Sequence, residues 1–100
     1  MEKSQDKELE DIAAVFSALG NPLRLKILSI VSASDRPLHI KAVAKITKTR
    51  YTLAYKHVKT LEKAGLITIY EVGRSRVIAL KSPTLFEKAV ALGQELIAMK

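Results

Sequence analysis

The sequence predicts a mainly α-helical fold (α+β class) with one small β-hairpin, in the element order α-α-(β)-α-α-β-β-α. Apolar residues recur at intervals of three and four along most of the 100 residues, which is the period of a helix. Between about residues 66 and 81 the period changes to two on either side of a glycine-containing turn, as in a hairpin. No repeat, low-complexity tract or linker interrupts the pattern. We therefore expect residues 1–100 to form a single domain.

The first third of the chain predicts two helices that meet at Gly20. Helical spacing marks the first of them from about residue 6 to 19, and the residues before Asp6 are expected to fray. Asn21-Pro22 is typical of a helix start, because asparagine caps free N–H groups and proline lacks an N–H where none is needed. The second helix is apolar on nearly every side between Leu23 and Val31, so we expect it to form the buried centre.

The middle of the chain predicts a short helix, a turn and a longer helix. Residues 34–37 end the second helix, and Leu38–Ile40 could add a strand to a sheet formed later. A third helix is predicted from Lys41 to about Thr47, with Ile40, Val43 and Ala44 facing inward. Thr47-Lys48-Thr49 forms a polar turn, in which Thr49 is expected to cap the fourth helix. Together these elements make a helix-turn-helix.

The fourth helix, expected between Thr49 and Gly65, has two unlike faces. One face is apolar and carries Ala54, Val58, Leu61 and Gly65, with Leu53 and His57 beside it. The opposite face carries Thr52, Lys56, Lys59 and Lys63, and Tyr51 and Tyr55 lie along one border. Such a helix can enter a DNA major groove and reach base edges with its first turns. The ordinary alternative is a lysine face that is merely solvated.

The predicted hairpin follows directly and carries Arg74 and Arg76 at its tip. A helix-turn-helix followed by a basic hairpin is the winged-helix arrangement. The last helix, expected over about residues 84–99, has a heptad-like apolar seam that needs a partner. That partner is either the first helix of the same chain or the terminal helices of a second subunit.

Composition favours a polyanionic partner. The formal net charge is +7, and the segment from Arg36 to Lys81 holds eleven Lys or Arg residues against two acidic ones. A membrane surface is disfavoured, because the basic helix has few bulky apolar groups to insert. The absence of cysteine excludes disulfides, thiolate zinc sites and cysteine nucleophiles. No apolar run is long enough to span a membrane, so we expect a soluble, cytoplasmic protein.

Two strings resemble the ArsR-type winged-helix transcription regulators of bacteria and archaea. Residues 16–28, FSALGNPLRLKIL, are similar to the opening signature of that family, and residues 56–67, KHVKTLEKAGLI, to the end of its recognition helix. The likeness extends from about Leu9 to Leu80. It implies a symmetric homodimer built on the first and last helices, with recognition helices in successive major grooves and wings on the flanking backbone or minor groove.

The resemblance and the basic face together give the expected site residues. DNA contacts are expected from Lys48, Arg50, Tyr51, Thr52, Tyr55, Lys56, Lys59, Arg74 and Arg76. Among them Arg50 would face guanine, and Thr52 and the tyrosines thymine methyls or acceptors. Tyr51 could instead pack against the apolar face. The dimer interface is expected from Leu9, Ile12, Phe16, Leu85, Phe86, Ala89, Leu92, Leu96 and Met99.

The chain departs from the metal-sensing members of that family. They use a cysteine motif near the third helix, or His and acidic ligands on the last helix, and this sequence has neither. No metal or cofactor is therefore expected. His57 is interpreted as a packed or phosphate-touching residue, and His39 is placed on the wing sheet. Thr47 and Thr49 stand where the family usually has apolar residues, which leaves the geometry of the turn open.

The sequence thus favours a sequence-specific double-stranded DNA-binding regulator, expected to be a homodimeric repressor associated with the nucleoid. A sequence-indifferent chromatin or architectural protein would use the same basic face, and a protein-docking module is a third possibility. An enzyme is the weakest interpretation, because the sequence has no Gly-rich phosphate loop, ligand cluster or catalytic triad spacing. It identifies no small-molecule effector.

Overall fold

A computed structural model describes residues 3–100, and within them the predicted fold class is confirmed. Five helices and three strands follow one another in the predicted order. They are α1 (Lys3–Leu19), α2 (Pro22–Ala33), β1 (Leu38–His39), α3 (Ile40–Ile46), α4 (Tyr51–Lys63), β2 (Ile67–Val72), β3 (Ser75–Leu80) and α5 (Pro83–Ala98).

The first two helices differ from the prediction in extent and in burial. Helix α1 already begins at Lys3, so the expected fraying before Asp6 is wrong for residues 3–5, while residues 1 and 2 lie outside the described range. The start of α2 is confirmed, because the Asn21 side chain accepts a hydrogen bond from the Arg24 backbone N–H at 3.1 Å. Leu25 is 38% exposed, however, so α2 is not buried on every side.

The core lies where α2, α3, α4 and the sheet meet. Its largest fully buried side chains are Ile27, Leu28, Ile40, Leu61, Ile67, Ile78, Val43 and Val58. Each such side chain contributes roughly 1.5–3 kcal/mol when it leaves water. Phe86 of α5 also joins this cluster and is only 7% exposed. Most of its ring is therefore buried in its own chain, but Phe86 also lines the apolar groove between α1 and α5, so its place in a dimer interface stays a prediction.

The hairpin and the first short strand form one antiparallel sheet in the order β1-β3-β2. Val72 pairs with Ser75, so the glycine-containing turn consists of only Gly73 and Arg74. Gly73 has φ of 60°, which suits the first central position of a tight hairpin turn. His39 pairs with Val77 of β3, as predicted, whereas Ile40 already belongs to α3.

The turn between α3 and α4 ends the first of these helices instead of capping the second. The Thr49 N–H donates to the Ala44 carbonyl at 2.9 Å, and the Lys48 N–H donates to the Lys45 carbonyl at 3.2 Å. This is a Schellman motif, with Lys48 in the left-handed conformation at φ of 55°. Arg50 occupies the N-cap of α4 without a side-chain cap bond, so the predicted capping by Thr49 is wrong.

The same motif, as predicted, ends α4 at a glycine. The Leu66 N–H donates to the Leu61 carbonyl and the Gly65 N–H to the Glu62 carbonyl, both at 2.9 Å. Gly65 has φ of 82°, a conformation that costs a residue with a Cβ roughly 1–2 kcal/mol. The tight turn directs the chain from α4 into β2, and so places the hairpin beside α4.

Two negative findings apply to residues 3–100. No single helix there is both long and apolar enough to cross a membrane. Helices α1 and α2 are long and apolar enough only when they are taken together, and they are bent by 82° relative to each other. No group of three or more His, Asp or Glu side chains is arranged to hold a metal ion.

Gly65→Ala should lower the free energy of unfolding by about 1–2 kcal/mol, because alanine is strained at a positive φ. Gly93→Ala is the matched control, since Gly93 lies inside α5 with open space around its Cβ position. We expect this control to raise stability by about 0.5–1 kcal/mol through helix propensity. Urea unfolding followed by circular dichroism measures both, and equal effects would contradict the left-handed end of α4.

Candidate nucleic-acid interface

Helix α4 presents its lysine row to solvent because its other side is fixed in the core. Ala54, Val58 and Leu61 are all 0% exposed. The residues of the opposite face, as predicted, are exposed: Thr52, Lys56, Lys59 and Lys63. Rotating the helix about its axis would expose the three core side chains and bury the lysines, and both changes cost free energy.

Two tyrosines of α4 and one arginine of β3 form a stack. The rings of Tyr51 and Tyr55 lie 6.2 Å apart, with 10° between their planes. The guanidinium carbon of Arg76 lies 5.0 Å from the centre of the Tyr55 ring, within cation–π range. Tyr55 is half-buried and packs against the core, so the stack rests on a fixed base. We name these three residues the Tyr-Tyr-Arg stack.

The Arg76 side chain therefore makes more contacts within the chain than the sequence suggests. Its Nε lies 4.0 Å from Glu71 Oε1 on the neighbouring strand. Interaction with the Tyr51 side chain, and then with Tyr55, raises the pKa of its guanidinium above the ordinary value. Because arginine is protonated at any relevant pH, this shift records attraction to its neighbours and implies no titration.

The other predicted cations fall into two groups. Lys59 donates to Glu62 Oε1 at 2.7 Å, and this hydrogen bond raises the pKa of Lys59. The remaining four are exposed and form no ion pair within residues 3–100: Lys48, Arg50, Lys56 and Arg74. These four are free to contact a polyanion without first breaking an internal bond.

A basic cleft adjoins the start of α4, and sequence reasoning did not single out its full lining. It has a volume of about 540 Å³ between α3, α4 and the hairpin. Its lining is His39, Lys41, Ala42, Lys45, Tyr51, Arg74, Ser75 and Arg76, without any carboxylate. Lys41 and Lys45 lie one helical turn apart on the exposed side of α3. Their charges contributed to the basic middle segment, but only the fold brings them beside Arg74.

Arg24 joins the end of α1 to α4, a role that no sequence pattern assigned to it. Its Nε donates to the Ala18 carbonyl at 2.6 Å, and its Nη2 to the Ser17 carbonyl at 3.1 Å. Its Nη1 lies 3.1 Å from His57 Nδ1. Arginine can only donate, so this ring nitrogen of His57 must be unprotonated. His57 is thus a packed residue, one of the two roles predicted for it.

The other large surface feature is an apolar groove between α1 and α5, with a volume of about 640 Å³. Residues that line it include Phe16, Leu19, Leu28, Leu85, Ala89 and Leu92. Phe16 and Leu85 are 55% and 63% exposed, and further along α5 Leu96 and Met99 are 56% and 81% exposed. An apolar surface of this extent is typical of an interaction site.

Comparison with known proteins identifies the class. The helix-turn-helix domain family matches residues 19–70, slightly more than half of the chain. The chain belongs to this helix-turn-helix domain family. No curated protein sequence matches it significantly.

Several solved structures are similar to this chain. The homodimeric winged helix-turn-helix DNA-binding domain of a possible ArsR-family transcriptional regulator from Mycobacterium bovis has a TM-score of 0.85 and 21% identity, covering 100% of this chain and 94% of that chain. An ArsR family transcriptional regulator has a TM-score of 0.68 and 25% identity, over 90% and 98%. NolR from Sinorhizobium fredii has a TM-score of 0.77 and 20% identity, over 94% and 92%. The predicted resemblance to ArsR-type winged-helix regulators is confirmed.

We expect stability to fall as the pH drops below about 6.5, the ordinary pKa of histidine. Burial, then the charges of Arg24 and Lys56, lowers the pKa of His57 in the folded chain. Folding therefore favours the neutral form of His57. The resulting contribution to stability is fully present above the pKa of His57 in the unfolded chain, and it is lost as the pH falls through the lower pKa of His57 in the folded chain.

Urea unfolding from pH 8 to pH 5 tests this expectation. The free energy of unfolding of His57→Gln, subtracted from that of the wild type at each pH, gives the contribution of His57 to stability. His39→Gln is the control, and its free energy of unfolding should fall with pH as much as that of the wild type. A decline of equal size in His57→Gln would contradict the assignment.

Proposed function

We propose that this chain is a sequence-specific double-stranded DNA-binding transcriptional regulator that acts as a homodimeric repressor. Helix α4 would enter the major groove, and the hairpin would lie on the flanking backbone or minor groove. The observation that carries the proposal is that Lys41 and Lys45 of α3 and Arg74 of the hairpin line one cleft with the start of α4, and that no carboxylate belongs to this lining. Such a protein would act on the nucleoid in the cytoplasm.

Phosphate contacts would supply most of the affinity. The expected set is Lys48, Lys56 and Arg74, extended by Lys41 and Lys45 of the basic cleft. Each neutralised phosphate releases condensed counterions, so affinity falls as salt rises. A dimer with about six to ten such contacts should give a slope of log K against log salt of roughly −5 to −9.

Base reading would fall to the first turn of α4. Arg50 lies at its N-cap, and its side chain has no ion-pair or cap partner among residues 3–100, while Thr52 faces solvent one turn before Lys56. Arginine recognises guanine through two parallel hydrogen bonds, and threonine can contact a thymine methyl group. Tyr51 is 41% exposed and can still face DNA, whereas Tyr55 is held mostly between its neighbours.

The dimer would cover the apolar groove between α1 and α5. Leu9, Ile12 and Phe16 of α1 are 43–55% exposed, and Leu92 and Leu96 of α5 are 45% and 56% exposed. A second copy is the occupant suggested by the homodimeric Mycobacterium bovis domain of the same fold. A two-fold symmetric pair would place two copies of α4 on one duplex, separated by about one helical turn of DNA.

A sequence-indifferent architectural protein is the alternative, since the same cations would serve it. Selection of bound duplexes from a random pool tests the choice. A regulator should return a motif with two-fold symmetric half-sites, and an architectural protein should return no motif. Absence of duplex binding at low salt would refute both.

Lys56→Ala and Arg74→Ala should each weaken binding to any duplex and make the salt slope shallower by roughly two per dimer, because each subunit then neutralises one phosphate fewer. The control is Lys26→Ala, because Lys26 is an exposed residue of α2 that lines neither the basic cleft nor the apolar groove. Fluorescence anisotropy across a salt series measures the slopes. Wild-type slopes in both test variants would contradict the docking.

Leu92→Glu should convert the dimer to a monomer, because it places a charge in the apolar groove. Ala91→Glu is the matched control, since Ala91 is exposed, lies one helical turn from Glu87 and from Glu95, and does not line the groove. Sedimentation velocity gives the mass of each variant. A dimer that survives Leu92→Glu would exclude this groove as the interface.

A further inference from the structure

Of all the side chains expected to contact DNA, only the Tyr-Tyr-Arg stack connects two elements of the reading surface to each other. Tyr51 and Tyr55 belong to α4, while Arg76 belongs to β3, just after the hairpin turn. We propose that this stack fixes the hairpin tip relative to α4, so that Arg76 and Tyr55 are positioning residues and Arg74 is the hairpin's DNA contact. The proposal rests on the proposed function, because its consequence is measured as DNA affinity.

Arg76 already makes two contacts within its own chain that compete with direct binding to DNA. Its guanidinium lies 5.0 Å from the Tyr55 ring centre on one side and 4.0 Å from Glu71 on another. The Arg76 side chain is exposed, but a phosphate contact would compete with both interactions. Arg74, two residues away, is exposed and has neither kind of partner within the described chain.

The stack is also placed where the hairpin needs support. Beyond the pair formed by Glu71 and Arg76, only Val72 and Ser75 and the two turn residues continue outward, and all of them are exposed. Short exposed hairpins are mobile unless side chains anchor them. Tyr55 is packed on the core, so an arginine seated on its ring transmits that fixed position to the tip.

Substitution by lysine separates positioning from direct contact. Lysine keeps the charge and can still touch a phosphate, but it lacks the planar group that stacks on a ring. Arg76→Lys should therefore weaken binding roughly tenfold, as much as Arg76→Ala, with an unchanged salt slope. Arg74→Lys is the matched control on the same hairpin and should keep most of the affinity.

The tyrosine partner provides the second arm. Tyr55→Phe retains the ring and should bind like the wild type, whereas Tyr55→Leu should lose affinity. In the Tyr55→Leu background, Arg76→Ala should cause no further loss, because both changes remove the same interaction. Tyr70→Leu is the control, since Tyr70 is exposed on β2 and lies outside the stack.

A measurement without DNA keeps this inference separate from the proposed function. The {1H}–15N nuclear Overhauser effect of the Gly73 and Arg74 amides should fall in Tyr55→Leu and Arg76→Lys, and stay at the wild-type value in Tyr55→Phe and Tyr70→Leu.

Unchanged values of this nuclear Overhauser effect in every variant would overturn the positioning role. Full affinity of Arg76→Lys together with a shallower salt slope in Arg76→Ala would also overturn it, in favour of a direct phosphate contact. If the wild type bound no duplex, the proposed function would fail while the amide comparison still decided whether the stack fixes the hairpin.

Discussion

Burial of one side of α4 is the constraint on which the rest of the structure depends. Ala54, Val58 and Leu61 have no exposed surface, and α4 contacts α1, α2, α3 and β2. Because a helix has a fixed angular period, burying these three positions also determines the direction of every other side chain on it. The lysine row faces solvent as a direct consequence. A basic surface therefore arises from apolar packing on the opposite side.

The same backbone motif occurs on both sides of α4: one copy ends α3 just before it, and the other ends α4 itself. Lys48 before the helix and Gly65 after it both have positive φ, and each closes a Schellman motif that redirects the chain. At Gly65 the residue suits the conformation, whereas at Lys48 a side chain with a Cβ accepts a cost of roughly 1–2 kcal/mol. That lysine lies beside the start of α4, so an unfavoured conformation coincides with the surface that we propose meets DNA.

Basic residues of this chain have unlike roles that their residue type does not reveal. Arg24 donates to two carbonyls of α1 and to His57, Lys59 bonds Glu62, and Arg76 lies on Tyr55. Arg50, Lys56 and Arg74 have no such partners among residues 3–100. The first group stabilises the arrangement of elements that the second group presents to a ligand. The residue type alone therefore does not show which of the 17 basic residues can contact phosphate.

The sequence by itself determined the elements and their inner faces, because periodicity, Asn21-Pro22 and Gly65 act over a few neighbouring residues. It also placed the lysine row of α4 correctly. Only the tertiary structure decided that Phe86 belongs to the core of its own chain, that Thr49 completes the end of α3, and that Lys41 and Lys45 share a cleft with Arg74. The contact between the Arg76 guanidinium and the Tyr55 ring was also decided only by the tertiary structure. Each of these outcomes depends on distances between residues that are remote in sequence, and such distances are fixed only when the elements pack together.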